Sequence, residues 1–236
     1  MRTCLCVVVI GLAAGCAKES TKSKCDAFFA DWLKAHGETN VVVDAQGVGI
    51  AGNATRLKAS LYGSQRHKVG GYLVETEFRI RLPSNDEIVE YLAGTAETED
   101  QAVNDCLANF TLTTFHVIYK AFLNPADPHQ QVEPAAIGGQ PREMVMGDIL
   151  LRGNTSDQPL DLNTMRSQIR AAITGLSLSG QPHWIKIVCG QHRGEIIEVS
   201  ATLDNHEHSA LTSAIKGLKW PKVDGFYMVK QFIVVK

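Results

Sequence analysis

The chain has 236 residues, 44% hydrophobic and 20% charged, which is enough apolar material for one large core or two small ones. It carries 23 Lys and Arg against 25 Asp and Glu, a formal net charge of −2, so it lacks the basic footprint of a nucleic-acid-binding protein. Its composition also excludes low-complexity and collagen-like classes.

The first 15 residues have the parts of a secretion signal. Arg2 supplies a positive charge, and an apolar stretch follows over residues 4–14, shorter than the roughly 20 residues that a membrane span requires. The sequence LAAGC then resembles the lipobox of bacterial lipoproteins, in which the cysteine is acylated. We expect residues 1–15 to be a signal peptide and Cys16 to carry a palmitoyl-type lipid anchor. A plain cleaved signal or a short buried helix is the alternative.

The lipid on Cys16 predicts a location in the cell envelope. Ala17 follows the cysteine, which by resemblance to lipoprotein sorting favours the outer membrane in a Gram-negative cell. Residues 16–24 are small, polar and charged, as expected of a tether that holds a domain off a membrane. The membrane is therefore the partner that the sequence predicts most directly.

Apolar spacing predicts the elements of the first half. Phe28, Phe29 and Trp32 share one face of a helix that ends near Gly37. Short strands are expected over 40–44 and 47–52, and longer ones over 55–62, 72–82 and 87–92, the second of which alternates apolar and charged residues. A long helix over 99–122 follows, with Cys106 on its buried stripe.

The second half repeats this mixture of strands and helices. We expect a strand over 142–151, a helix around 165–175, a hairpin over 183–203, a short helix over 208–218 and a final strand over 225–235. No linker separates the halves. The predicted fold is a single α+β domain over residues 25–236, with helices packed on one face of a largely antiparallel sheet.

Three stretches together carry a family resemblance: NDCLANFTLTTFHVIYKAF, HWIKIVCGQHRGEIIEVSATLDN and LKWPKVDGFYMVKQFIVVK. They resemble an uncharacterised bacterial family known only as a domain of unknown function. The resemblance covers about residues 25–236 and rests mostly on apolar and turn residues, so it implies a shared fold. It implies no catalytic residue and no cofactor.

Three thiols remain if Cys16 is acylated and the signal is removed: Cys25, Cys106 and Cys189. An odd number in an oxidising compartment permits at most one internal disulfide. Cys106 is the expected partner of Cys189 if a disulfide forms. Cys189 also lies close in sequence to His192, a pair that can support nucleophilic chemistry, although a buried core thiol is the favoured interpretation.

Two other motifs have weak functional meaning. His206 and His208 lie in the segment DNHEH and are the candidate ligands of a metal ion; a polar turn and helix start, capped by Asp204 or Asn205, is the favoured alternative. The segment GVGIAG over 47–52 matches a dinucleotide-binding fingerprint, but a strand-like sequence follows it, so we interpret it as a glycine-rich turn.

Three functional hypotheses remain. The first is a lipid-anchored, non-enzymatic envelope protein that binds another protein or a small ligand. The second is an interaction or immunity-type module, with a partner such as a toxin. The third is a hydrolase that uses a metal ion or a Cys/His pair among the histidines of residues 183–208. Because no residue cluster combines the types and spacing that catalysis needs, the first two are favoured and no catalytic residue is assigned.

Overall fold

A computed structural model describes residues 22–66, 70–126, 132–153 and 159–236, apart from the side chain of Tyr62. The predicted signal peptide, Cys16 and most of the tether lie outside the described residues. The chain divides into two compact units, Met1–Phe110 and Thr111–Lys236. Across the described ranges, every helix falls short of the length or the apolarity that spanning a bilayer would demand.

The first unit is an antiparallel sheet covered by helices. Helix α1 spans 22–35, and helix α2 spans Glu99–Phe110. The sheet has the strand order β1-β2-β3-β4-β5, so each strand pairs with its neighbour in sequence. Its strands are β1 (Val41–Asp44), β2 (Gly47–Ile50), β3 (Arg56–Arg66), β4 (Tyr72–Arg81) and β5 (Glu87–Ala96).

Aromatic packing joins α1 and α2 to one face of this sheet. The rings of Phe78 on β4 and Phe110 on α2 stack with centroids 3.9 Å apart, and Phe29 of α1 meets Phe110 edge-on at 5.8 Å. Gly94 of β5 permits the close approach of α2, because a Cβ at this position would collide with the carbonyl oxygen of Ala102. The opposite face is polar, with Arg79 paired to Glu87 at 2.8 Å.

The glycine-rich segment at 47–52 forms strand β2 and the turn after it. Val48 pairs with Leu57 of the next strand, so a strand follows where a dinucleotide site would need a helix. Gly47 has φ of 126° and its hydrogen faces the backbone of Leu57, a position that a side chain cannot occupy. The structural interpretation of GVGIAG is therefore confirmed.

The second unit contains a seven-stranded antiparallel sheet of order β11-β10-β9-β12-β7-β6, with β8 paired to β12. It begins with a π-helical turn (Thr111–Phe115), the short helix α3 (His116–Ile118) and a second π-helical turn (Tyr119–Leu123). Helices α4 (Leu162–Thr174) and α5 (Ser209–Lys216) follow later. The strands are β6 (Val132–Ile137), β7 (Gln140–Met146), β8 (Leu150–Arg152), β9 (His183–His192), β10 (Glu195–Leu203), β11 (His206–Glu207) and β12 (Phe226–Val235).

The α+β class with antiparallel pairing is confirmed, but the strands belong to two sheets. In the second sheet β9 and β12 pair over their full length, from Phe226 opposite His192 to Val235 opposite His183. Apolar side chains of these strands form one core with α4 and α5, including Ile169, Ile185 and Ile215. The strand β6 was not predicted. It contains Pro134, which is tolerated because β6 is the edge strand.

Candidate functional site

A chain of hydrogen bonds joins Ser179, His183 and Asp204 at one end of the second sheet. Ser179 Oγ lies 2.7 Å from His183 Nε2. On the other side of the imidazole ring, His183 Nδ1 lies 2.6 Å from Asp204 Oδ2. Both distances are those of good hydrogen bonds, and the order of the groups is hydroxyl, imidazole, carboxylate.

His183 is placed by strand pairing. It is the first residue of β9 and pairs with Val235, so the neighbouring strand fixes its backbone. Its side chain is 15% exposed, which limits its freedom while leaving one edge open to solvent. The predicted start of a strand at residue 183 is confirmed, and the next residue, Trp184, is buried at 8% exposure.

Asp204 is placed by a two-residue turn. Leu203 pairs with His206, and the residues between them, Asp204 and Asn205, have φ of 52° and 64°. Positive φ at both positions is the signature of a type I′ hairpin turn, which Asp and Asn tolerate better than most residues. The Asp204 carboxylate also accepts a hydrogen bond from Trp184 N–H through Oδ1 at 3.0 Å. Two bonds therefore fix its orientation toward the imidazole.

Ser179 lies in the connection between α4 and β9. The residue is exposed, as is the next one, Gly180. The carbonyl groups of Ser179 and Gln181 both accept hydrogen bonds from the guanidinium of Arg142 on β7, the latter at 2.7 Å. The connection is thus tied to the sheet immediately beside the serine.

The hydrogen bonds define the tautomer of His183. A carboxylate only accepts hydrogen bonds, so the proton between His183 and Asp204 belongs to His183 Nδ1. In the neutral ring Nε2 is then the acceptor, and the hydroxyl of Ser179 is the donor. This is the arrangement in which an imidazole can remove a proton from a serine hydroxyl as it attacks a carbonyl carbon.

The predicted metal ligands His206 and His208 have different surroundings. His206 is exposed on β11, whereas His208 is the N-cap of α5 and its Nδ1 accepts a hydrogen bond from Leu211 N–H at 3.1 Å. The polar turn at 204–205 is confirmed, but the expected cap at Asp204 or Asn205 is not found, because the turn precedes β11. Within the described ranges no group of three metal-ligating side chains occurs.

The three described cysteines are buried free thiols, so the structure does not join Cys106 to Cys189. Cys106 Sγ instead donates to the carbonyl oxygen of Leu92 in the first unit, at 3.2 Å. Cys189 lies in the core of the second sheet, where burial, and secondarily the charge of Glu198, raises the pKa of its thiol to about 12. A neutral thiol is a poor nucleophile.

Cys189 and His192 also point in different directions. They stand three positions apart on β9, and residues at odd spacing lie on opposite faces of a strand. Cys189 is buried and His192 is exposed at the strand end. The structure therefore does not bring Cys189 and His192 together as a nucleophile and base.

Sequence reasoning considered His183 but missed its two partners. Ser179 belongs to a loop, and only a fold can bring a loop serine to an imidazole four residues later. The position of Asp204 could have been predicted from the hairpin over 183–203. In this hairpin Leu203 pairs with Ile185, so the residue after Leu203, which is Asp204, lies beside Trp184. Reading that register would have placed a carboxylate next to His183.

Residues 30–236 match the model of a family of unknown function, DUF6348. The chain belongs to the DUF6348 family. The match includes residues 30–110 of the first unit and all of the second, and it confirms the resemblance to an uncharacterised domain. No curated protein and no solved structure matches the chain. The DUF6348 match assigns no activity, so functional inference rests on the site itself.

Proposed function

We propose that this DUF6348 protein is a serine hydrolase of the cell envelope, acting on ester or amide bonds at Ser179. The observation that supports the proposal is the hydrogen-bonded order of Ser179, His183 and Asp204, with both links shorter than 2.8 Å. The same order of groups recurs on unrelated folds that cleave acyl bonds, so geometry rather than ancestry is the relevant criterion.

The reaction follows from the protonation states. Ser179 Oγ attacks the acyl carbonyl carbon while His183 Nε2 takes the hydroxyl proton, which gives a tetrahedral intermediate. Its collapse breaks the bond to the leaving group, and His183 returns the proton to the departing alcohol or amine. A water molecule, deprotonated by the same imidazole, then attacks the Ser179 ester, and His183 returns this proton to Ser179 Oγ as the bond to the acid breaks. The Asp204 carboxylate stabilises the imidazolium that forms twice in the cycle.

An active-site phosphonate probe tests this proposal. Purified protein is incubated with a fluorophosphonate, and the modified residue is identified by peptide mass spectrometry. We expect modification of Ser179 that is abolished by Ser179→Ala and by His183→Ala. Ser177→Ala is the matched control, because Ser177 is also exposed in the same connection and has no role in the proposed site. An unmodified Ser179, or equal modification of Ser177, would refute the proposal.

The envelope location belongs to the same proposal and rests on the LAAGC sequence. Cys16 would hold the enzyme at a membrane through its acyl chain, with the residues between Cys16 and helix α1 as the tether. The test is membrane fractionation with labelled palmitate on the wild type and Cys16→Ser. We expect label and membrane association only in the wild type. Label that persists in Cys16→Ser, or is missing from the wild type, would reject the anchor.

A second candidate function is a non-enzymatic binding or immunity-type module. Ile196 and Ile197 on β10 are 37% and 58% exposed and form an apolar pair. The outer neighbour of β10 is the short strand β11, which in the described residues pairs with Thr202 and Leu203 at the other end of β10. A protein partner such as a toxin could place an extended segment there. A photo-crosslinking residue at position 197 should trap one defined partner in cells, and the same residue at Tyr91 should not. Identical products at both positions would exclude this surface.

A further inference from the structure

Arg142 makes an unusual set of contacts beside the proposed nucleophile. The residue is 9% exposed, and its three guanidinium nitrogens donate to three separate backbone oxygens. Nη1 donates to Ser179, Nη2 to Gln181 at 2.7 Å, and Nε to Lys236 at 2.6 Å. Two of these acceptors flank Gly180, so one rigid group fixes the backbone on both sides of the residue after the serine.

The planar fork of arginine is suited to this task. Its donors have fixed directions and its charge does not depend on pH in the working range, whereas a lysine ammonium is a compact charge on a flexible stem. Hydrogen bonds from a charged donor are also stronger than those between neutral groups. Arg142 lies on β7, and its acceptor Lys236 directly follows β12. The N–H of Lys236 donates to Glu143 O on β7 at 2.9 Å, so the acceptor is also fixed to the sheet.

We infer that Arg142 is a positioning residue for the proposed reaction: it holds the connection so that Ser179 Oγ stays in line with His183 Nε2. This inference rests on the proposed hydrolase function. Without the Arg142 guanidinium, Ser179 would keep its hydroxyl but lose the backbone hydrogen bonds that fix the distance of Ser179 Oγ from His183 Nε2. A displacement of about 1 Å of a reacting group can reduce a rate about 100-fold.

The experiment compares Arg142→Gln and Arg142→Lys with the wild type. The rate of phosphonate modification of Ser179 is measured, and the low-field proton resonance of His183 Nδ1–H is recorded by NMR. We expect the modification rate to fall about 10- to 100-fold in Arg142→Gln and less in Arg142→Lys. The resonance should persist in both, because Arg142 contacts the serine side of the site and not Asp204.

Arg170→Gln is the matched control. Arg170 lies on α4, forms an ion pair with Glu133 at 2.9 Å and donates to the carbonyl oxygen of Pro134 on β6, so its loss should leave the modification rate unchanged. Arg142 variants that react at the wild-type rate would overturn the inference while leaving the hydrolase proposal intact. Loss of the His183 resonance in both Arg142 variants would also overturn it, since Arg142 would then support the fold as a whole. A wild-type protein that does not react at Ser179 would instead refute the hydrolase itself.

Discussion

Replacing Asp204 by asparagine should greatly lower the reactivity of Ser179 while changing the free energy of unfolding only slightly. The carboxylate accepts from Trp184 N–H through Oδ1 and from His183 Nδ1–H through Oδ2. Asparagine can keep the first bond, but its amide group faces His183 with donors. The imidazole would then accept at Nδ1 and carry its proton on Nε2, where it can no longer receive the proton of the Ser179 hydroxyl.

The two expected magnitudes differ widely. A reversed tautomer in a triad lowers the rate by about 10⁴-fold, so phosphonate modification of Asp204→Asn should be nearly undetectable. The free energy of unfolding should fall by only about 1 kcal/mol, the difference between a charge-assisted and a neutral hydrogen bond. Partial exposure of the Asp204 side chain, 30%, keeps this loss small, and asparagine tolerates the positive φ of the turn.

The assay pairs modification kinetics with urea unfolding on the same samples. Asn205→Asp is the control, because it puts a carboxylate at the other turn position and leaves Asp204 in place; it should react at the wild-type rate. Asp204→Ala should lose both reactivity and more stability, because Trp184 N–H then loses its acceptor. Modification of Asp204→Asn within threefold of the wild type would refute the reasoning about the tautomer.

Three further predictions concern the two cores. Burial raises the pKa of Cys25 and of Cys189 from 9.0 to about 12, so the folded state keeps these protons while the unfolded state releases them. The contribution of these thiols to the free energy of unfolding should therefore be fully present below about pH 9 and be lost toward pH 12, with a shallower loss in Cys189→Ala. The midpoint of unfolding in guanidinium chloride, measured as a function of pH, would show this. Gly94→Ala should lower the free energy of unfolding by about 1–3 kcal/mol, since the new Cβ meets the α2 backbone, whereas Gly63→Ala, with only ordinary contacts, should cost less. Phe110→Ala should cost about 3–5 kcal/mol by emptying a fully buried aromatic site, and a loss below 1 kcal/mol in urea unfolding would contradict the observed stacking.

Periodicity predicted the individual elements well because burial acts on each of them separately. The alternation over 72–82 gave β4 with Val74, Phe78 and Ile80 buried, and the apolar stripe gave α2 with Cys106 inside. The division of the strands between two sheets was not predictable in this way. Alternation shows which face of a strand is buried, but it does not say which other strand lies beside it. The expectation of one continuous domain over 25–236 stays a prediction.

The site was predictable only in part, for a related reason. His183 could be placed at a strand start, yet its partners depend on long-range pairing and on a loop. Closeness in sequence made Cys189 with His192 a weak nucleophile candidate and His206 with His208 weak metal candidates, beside the favoured interpretations of a core thiol and a polar turn. Cys189 and His192 lie on opposite faces of β9, and His208 Nδ1 accepts a hydrogen bond as the N-cap of α5.

The two-residue turn at Asp204 and Asn205 has a consequence for how such a site could be transplanted. The carboxylate reaches the imidazole through strand register and a turn of fixed length, with no contribution from a long loop. Three consecutive antiparallel strands with the register of β9, β10 and β11 and a type I′ turn would present the same relation between the turn and the start of the first strand. The histidine–carboxylate pair is therefore a compact module that could be grafted onto a designed sheet, with the serine connection and its arginine supplied as a second part.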